Sequence, residues 1–302
     1  MKIPDLPFLR LAIAFGGLSL GARADILTIA TYNVENYGPA DRLTEAGYRK
    51  DYPKPEKEKK ALRSVIGQIR ADILAIQEMG AEPYLEELRG DLRSEGLDYP
   101  YAAWSQGSDT ARHLALLSRR PLKSMRTYDD LEFPYPGGRE RVKRGLIEAT
   151  VSAGGGDLTL FVVHLKSHLT ERPDDPEGAI RRAAEAAAVR DCVCRRFSDP
   201  GTARFVILGD CNDGRNSKAV RNLERRGPMI VALRLNEADS RGETWTEVWR
   251  REEMYSQLDQ ILVSPGLASA AATVLARIED GPDVAAASDH RPVVATLTFS
   301  RP

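Results

Sequence analysis

Two short polar islands stand out because each abuts an apolar run. Asp210-Cys211-Asn212-Asp213 follows Phe205-Val206-Ile207-Leu208-Gly209, and Ser288-Asp289-His290-Arg291 precedes Pro292-Val293-Val294-Ala295-Thr296-Leu297. Runs of four to eight apolar and β-branched residues read as buried strands. Carboxylates, an amide and an imidazole at the lips of such strands sit on a rigid scaffold, where acid/base chemistry or metal binding can be preorganised. The same placement recurs elsewhere. Asn33, Glu78, His164, Asp210, Asn212, Asp259, Asp289 and His290 each close or border an apolar strand. Taken singly, a strand-end Asp is a turn or cap residue and a strand-end His a satisfied structural one. Eight together point to one catalytic site.

Two rival readings of the first island can be weighed from the residues. Asp210-x-Asn212 begins like a calcium-binding loop, but the fifth, sixth and twelfth positions of that loop require Asp or Asn, Gly and Glu. Here they are Gly214, Arg215 and Arg221, so the pattern fails. Cys211 could serve as a nucleophile, although a partly buried strand-end thiol is the simpler reading. The other cysteines are Cys192 and Cys194. Two apart on a helix, they point away from each other. A disulfide from one of them to Cys211 stays open, and three thiols leave at least one unpaired.

Strands must deliver these residues to one place. Residues 26–32 read as a strand ending on Asn33, and 73–77 as one ending on Glu78. Further strands are expected at 113–118, 145–152, 158–164, 204–209, 258–263 and 292–299, with a glycine turn at Gly154-Gly155-Gly156. Helical spacing appears over 56–70, 83–93 and 179–197, and the polar stretch 38–55 reads as a loop. The arginines of the 179–197 helix are expected to form a solvated face. Alternating helices and strands, with hairpin-like strand pairs between them, imply an α/β domain with mixed sheets.

Length and composition agree. The chain has 302 residues, 42% of them hydrophobic and 29% charged, which is enough apolar material for a sizeable core. No linker or repeat divides it, so residues 25–302 are expected to form a single domain. Lys2 and Arg10 precede the apolar run Leu11 to Leu20, and Ala22-Arg23-Ala24 has the small-x-small form of a signal peptidase site. Residues 1–24 therefore read as a signal peptide, with export to the periplasm or outside the cell; an uncleaved membrane anchor is the alternative. Cleavage would remove three basic residues (Lys2, Arg10, Arg23) and one acid (Asp5), moving the formal charge from −1 to −3. Such a chain is no general polycation trap for nucleic acid, so local positive charge or a metal must draw any phosphate-bearing substrate.

Five short motifs in order carry a resemblance to a known family. They are Ala30-Thr31-Tyr32-Asn33-Val34-Glu35-Asn36, Ile76-Gln77-Glu78, Val163-His164-Leu165-Lys166-Ser167, Gly209-Asp210-Cys211-Asn212-Asp213 and Ser288-Asp289-His290-Arg291-Pro292. The chain resembles the endonuclease/exonuclease/phosphatase superfamily from about residue 26 to 299, and Leu114-Ala115-Leu116-Leu117-Ser118-Arg119 also fits. The resemblance implies a DNase I-like four-layer α/β sandwich, with two mixed β-sheets packed face to face and helices outside. It implies that Glu78 is the principal ligand of Mg²⁺ (or Mn²⁺ or Ca²⁺), with Asn33 and Asp289 completing the metal set. His290 paired with Asp259 resembles the family's His–Asp dyad. By the same resemblance Asp210 orients or deprotonates water, Asn212 donates to a phosphoryl oxygen, and His164 contacts the phosphate.

Arg144 could contact phosphate or be a solvated strand-edge charge. With Arg139, Arg141 and Lys143 it could supply the local positive field. The leading expectation is a metal-dependent phosphodiesterase, a nuclease acting on DNA or RNA, working as a monomer without a stable protein partner. The alternatives are a phosphomonoesterase or phospholipid phosphoesterase, and a non-catalytic binding module. A lipid-directed enzyme would show an exposed aromatic hairpin; Trp245 and Trp249, the dense aromatic pair, read as core.

Overall fold

The computed structural model of the chain describes residues 24–44 and 47–300. The expected signal peptide thus lies outside the described residues, apart from Ala24. Two six-stranded mixed sheets form the body. In spatial order the first contains Thr273–Ile278, Val293–Phe299, Asp25–Tyr37, Ile73–Met79, His113–Ser118 and Tyr101–Ser105. The second contains Leu233–Arg234, Asp259–Val263, Phe205–Asp210, Gly156–His164, Ile147–Ala153 and Ser124–Thr127. Each sheet has one parallel pair, Asp25–Tyr37 with Ile73–Met79 and Gly156–His164 with Phe205–Asp210; the other pairings are antiparallel.

Period-two burial explains the layering. Leu27, Ile29, Ile73 and Ala75 point from the first sheet into the same cluster as Ile147, Leu158, Val206 and Ile261 from the second. The opposite faces carry Ala30, Leu74 and Ile76, or Phe161, Val163 and Ile207, and are covered by helices. Helices Glu56–Ile69, Glu82–Ser94 and Val284–Ala287 cover the first sheet; Ala179–Arg196 and Lys218–Glu224 cover the second. This is the expected four-layer sandwich. Each fully buried Leu, Ile or Phe in it contributes about 1.5–3 kcal/mol of transfer free energy.

Two expectations need correction, and one open question closes. The 38–55 stretch is not all loop: Ala40–Thr44 pairs with Gly47–Tyr52 in a hairpin. Its second strand is exposed at every position, so no apolar alternation marks it. The arginines of helix Ala179–Arg196 do not all face solvent. Arg182 is 1% exposed, held by Asp213 Oδ2 at 2.9 Å and by the carbonyls of Lys166 and Glu177. No disulfide forms, because Cys192, Cys194 and Cys211 are all free and buried. No helix among the described residues is long and apolar enough to cross a membrane.

Candidate active site

Sheet topology brings the polar strand ends together. In each parallel pair both strands end at the same edge, so Asn33 and Glu78 arrive from one sheet and His164 and Asp210 from the other. Register does the rest. Asp210 lies opposite His164 on one side and opposite Asp259 on the other. Gly209 is required for this: at φ +148°, an added Cβ would sit 1.9 Å from the Val163 carbonyl oxygen. Glu78 (φ 60°) and Asn212 (φ 49°) are held in the left-handed region, as are Glu35 and Asn36. Such backbone costs on the order of 1–3 kcal/mol per residue and persists where the surroundings over-determine it.

Asp210 is the hub. Its Oδ2 accepts from Asn33 Nδ2 (2.9 Å) and Asn212 Nδ2 (3.2 Å), and its Oδ1 accepts from the Asn212 amide (2.7 Å). His164 Nε2 lies 3.5 Å and His290 Nε2 3.9 Å from the same Oδ2. Burial pushes the Asp210 carboxyl up to about 6; the His290 charge opposes this and Asp259 adds to it. Nδ1 of His290 bonds Asp259 Oδ2 at 2.8 Å. This fixes the tautomer, leaving Nε2 turned towards Asp210. Although burial opposes a charge on His290, Asp259, Asp210 and Asp289 together hold its pKa well above the usual histidine range.

His164 is in the opposite state. Burial, followed by the charges of Arg144, His290, Arg112 and Lys143, holds its pKa well below the usual value, so the ring is neutral. Arg144 is 3% exposed rather than a solvated edge charge, with Nε 3.1 Å from Asp109 Oδ2 and Nη1 3.4 Å from the Leu165 carbonyl. The site is therefore polarised. Arg144, Arg112 and Lys143 crowd His164 at one end, while Asp210, Asp259 and Asp289 gather round His290 at the other. A pair of groups with opposed protonation states is the arrangement acid/base chemistry uses.

A family model for the endonuclease/exonuclease/phosphatase family matches residues 30–290. The chain belongs to this family. Its members are hydrolases, generally phosphoesterases, and typically depend on a divalent metal. Solved structures with the same fold include sphingomyelinase C from Streptomyces griseocarneus, at 15% identity and TM-score 0.62, covering 90% of this chain and 99% of that one. The human Nocturnin catalytic domain with bound sulfate anion matches at 15% identity and TM-score 0.62, covering 92% and 98%. An endonuclease/exonuclease/phosphatase family protein from Leptotrichia buccalis matches at 16% and 0.61, covering 90% and 100%. No curated protein sequence matches the chain.

The donor set fits the divalent ion typical of the endonuclease/exonuclease/phosphatase family. One ligand atom each from Asp210, Asp259 and His290 lies within 4.8 Å of the others, and Asp259 Oδ1 is buried without a hydrogen-bond partner. Hard carboxylate oxygens suit Mg²⁺. Glu78 is half-buried; its Oε2 accepts the Asn36 amide at 3.1 Å and its Oε1 faces Arg112 Nε at 3.5 Å. Asn33 is already engaged at both ends of its amide, since its Oδ1 accepts the Glu35 amide at 3.0 Å. Asp289 stands at the rim, with its amide donated to Glu35 Oε2 at 3.1 Å. Asn212 spends its Nδ2 hydrogens on Leu165 O (3.0 Å) and Asp210 Oδ2 (3.2 Å).

Several site residues escaped the sequence reading because they close no apolar run. Glu35 and Glu247 are carboxyls of the acidic half. Burial, then Asp289, pushes Glu35 up to about 6, and burial, against the His290 charge, pushes Glu247 up to about 7. Arg112 reaches Glu78 from the turn before a strand. Thr246 Oγ1 accepts the amides of Leu258 (2.9 Å) and Asp259 (3.0 Å), fixing the dyad carboxylate from behind. For Glu247 and Thr246 a signal existed: they directly follow Trp245, just upstream of the Asp259 strand. The core reading of the tryptophans also fails for Trp249. It is 50% exposed on the hairpin Glu247–Trp249 with Met254–Ser256, beside Met254 (53%) and Tyr255 (61%). Cys211 is buried, and burial pushes its thiol well above the usual range, which fits a packed thiol rather than a nucleophile.

Proposed function

We propose that this phosphoesterase is an exported, Mg²⁺-dependent phosphodiesterase that hydrolyses DNA or RNA. The observation that carries the reading is the polarised site, in which three cations crowd a neutral His164 next to the acidic Asp210–Asp259–His290 cluster. A phosphodiester brings one negative charge, which Arg144, Arg112 and Lys143 complement. The developing charge of the transition state is met by preorganised donors. Asp210 and Asp259, whose Oδ1 is buried without a partner, would hold the metal with Glu78 at the edge of the cluster. The metal would supply Lewis-acid polarisation of the phosphoryl oxygens and a more acidic water. Asp210 orients the attacking water and takes its proton as the new P–O bond forms. His290, charged and held by Asp259, gives its Nε2 proton to the leaving oxygen as the P–O bond to it breaks. His164 donates to the phosphate only as the Nε2–H tautomer, for which its unpartnered Nδ1 leaves room.

A second reading, phospholipid hydrolysis, is favoured by the exposed Trp249, Met254 and Tyr255, because an apolar hairpin beside the site suits a bilayer surface. The hairpin is tied to the site, since the Val248 amide donates to the Asp289 carbonyl at 2.9 Å. One panel separates the readings: plasmid DNA, RNA, bis-p-nitrophenyl phosphate and sphingomyelin vesicles, each with Mg²⁺, Mn²⁺ or EDTA. Polynucleotide cleavage that EDTA abolishes supports the nuclease. Turnover confined to vesicles sinks it in favour of the lipid reading, and activity that survives EDTA sinks the metal. His290→Ala should lower kcat on every accepted substrate by about 10²–10⁴-fold; undiminished turnover would refute the dyad.

A further inference from the structure

Away from the strand ends, an open cavity of about 680 Å³ lies between strand Ser124–Thr127, the hairpin of Glu132–Tyr135 with Gly138–Arg141, and the C-terminal half of helix Ala179–Arg196. Five arginines converge on it: Arg126, Arg139, Arg141, Arg195 and Arg196. The carboxylates opposing them are fewer. Glu132 serves both Arg139 (2.9 Å) and Arg141 (3.9 Å), Glu148 serves Arg196 (3.1 Å), and Asp130 shares the lining. Among the described residues, Arg126 and Arg195 have no carboxylate within ion-pair distance. Arg126 instead lies over the Tyr128 ring, 4.5 Å from its centroid. In a chain of net charge −1, five guanidinium groups against three carboxylates make a local positive field.

The hairpin wall of the cavity is tied to the cationic end of the site: Arg181 donates to the Arg141 carbonyl (3.3 Å) and pairs with Glu185 (3.2 Å), which accepts the Lys143 amide (3.2 Å). Arg126 pairs across the sheet with Glu148, and the Tyr128 amide donates to the Leu146 carbonyl at 2.9 Å, two residues beyond Arg144. Lys143 and Arg144 both pair with Asp109, at 3.7 and 3.1 Å, so the uncompensated positive charge on this side of the molecule lies on the groove's own arginines, Arg126 and Arg195 above all.

We propose that this arginine groove binds the phosphate backbone of a polynucleotide on one side of the scissile bond, making the enzyme favour long strands over short diesters. The proposal rests on the polynucleotide reading above. It assigns the groove no chemistry; its arginines pair with phosphates, and such pairing is independent of base sequence.

The test uses Arg126→Ala/Arg195→Ala. Binding of a labelled 20-nucleotide strand is followed by fluorescence anisotropy in EDTA across a salt series, and cleavage is measured with Mg²⁺. Removing one guanidinium–phosphate ion pair should flatten the slope of log K against log salt by roughly 0.7–0.9. The double variant should therefore lose about 1.5 from the slope and bind roughly tenfold more weakly at low salt. The ratio of kcat/KM on the strand to that on bis-p-nitrophenyl phosphate should fall by a similar factor, and Arg126→Lys/Arg195→Lys should restore the slope. An unchanged slope in a variant whose wild type cleaves the strand overturns the groove and leaves the nuclease standing. A wild type that neither binds nor cleaves the strand, yet hydrolyses the small diester, overturns the polynucleotide reading itself. If the double alanine variant loses its circular dichroism signal, Arg195→Gln alone carries the same test at half the change in slope.

Discussion

Glu237 shows how burial alone can set the behaviour of a single side chain. It is almost fully buried, its Oε1 accepts from Gln257 Nε2 at 2.6 Å, and its Oε2 has no hydrogen-bond partner. Burial pushes its carboxyl up to about 7, against the pull of Arg234. A carboxyl whose pKa is higher folded than unfolded holds its proton more tightly in the native state. Its stabilising effect is complete below about pH 4.5 and is lost as pH rises through about 7. Glu237→Gln should remove this dependence and raise stability at pH 8 by up to about 3 kcal/mol, with little change at pH 4. Urea midpoints of both proteins at the two pH values would check it, and an equal difference at both would refute the assignment. The residues that could be read from sequence were those terminating apolar runs, such as Glu78, Asp210 and His290. Arg112 and Glu247 do their work from a turn and a short hairpin, and Glu35 from the irregular stretch of its strand between Asn33 and Tyr37, where nothing in the local pattern separates a site residue from a solvated one.

At the level of elements, the two parallel strand pairs matter most. Their inward faces alternate Leu27, Ile29 and Val206, Leu208 across one shared core, so a slip of one residue would turn the core faces outward. That strength of specification is why 113–118 is recovered residue for residue, and why the 73–77 and 158–164 runs differ from the observed strands only at their ends. The Ala40–Thr44 hairpin lacks this constraint. Its order comes from hydrogen bonds such as Tyr48 Oη to Asp41 Oδ2 (2.6 Å), which leave no hydrophobic period to read. Gly209 sits within the second parallel pair, and its missing side chain permits Val163 and Gly209 to lie opposite each other. Gly209→Ala should cost several kcal/mol, combining a clash with backbone strain of about 1–3 kcal/mol. It should lower the melting temperature and the activity together; a normal melt with normal turnover would contradict the register. Buried Glu185 braces the same region by accepting the backbone amides of Lys143 (3.2 Å) and Lys166 (2.8 Å), one from each loop flanking His164.

Across the whole molecule, stability comes from three apolar layers rather than covalent cross-links. All three thiols are buried and free, with Cys192 and Cys194 on the helix face packed against the second sheet and Cys211 beneath the site. Reductant should leave the melting temperature unchanged, and thiol labelling should be slow until denaturant exposes the core. A fall in melting temperature on reduction would show a bridge that the geometry lacks.

The strand Val293–Phe299 pairs with Asp25–Tyr37 over seven residues, from Asp25 with Phe299 to Thr31 with Val293. The strand that carries Asn33 is therefore completed by one made much later, and His290 takes its place only when Val293–Phe299 docks. While the ribosome is still making the chain, Asn33, Glu78 and Asp210 can exist without forming a working centre. A chain made only as far as Asp210 lacks His290 and so lacks the dyad, and the site is complete only once Val293–Phe299 has paired with Asp25–Tyr37.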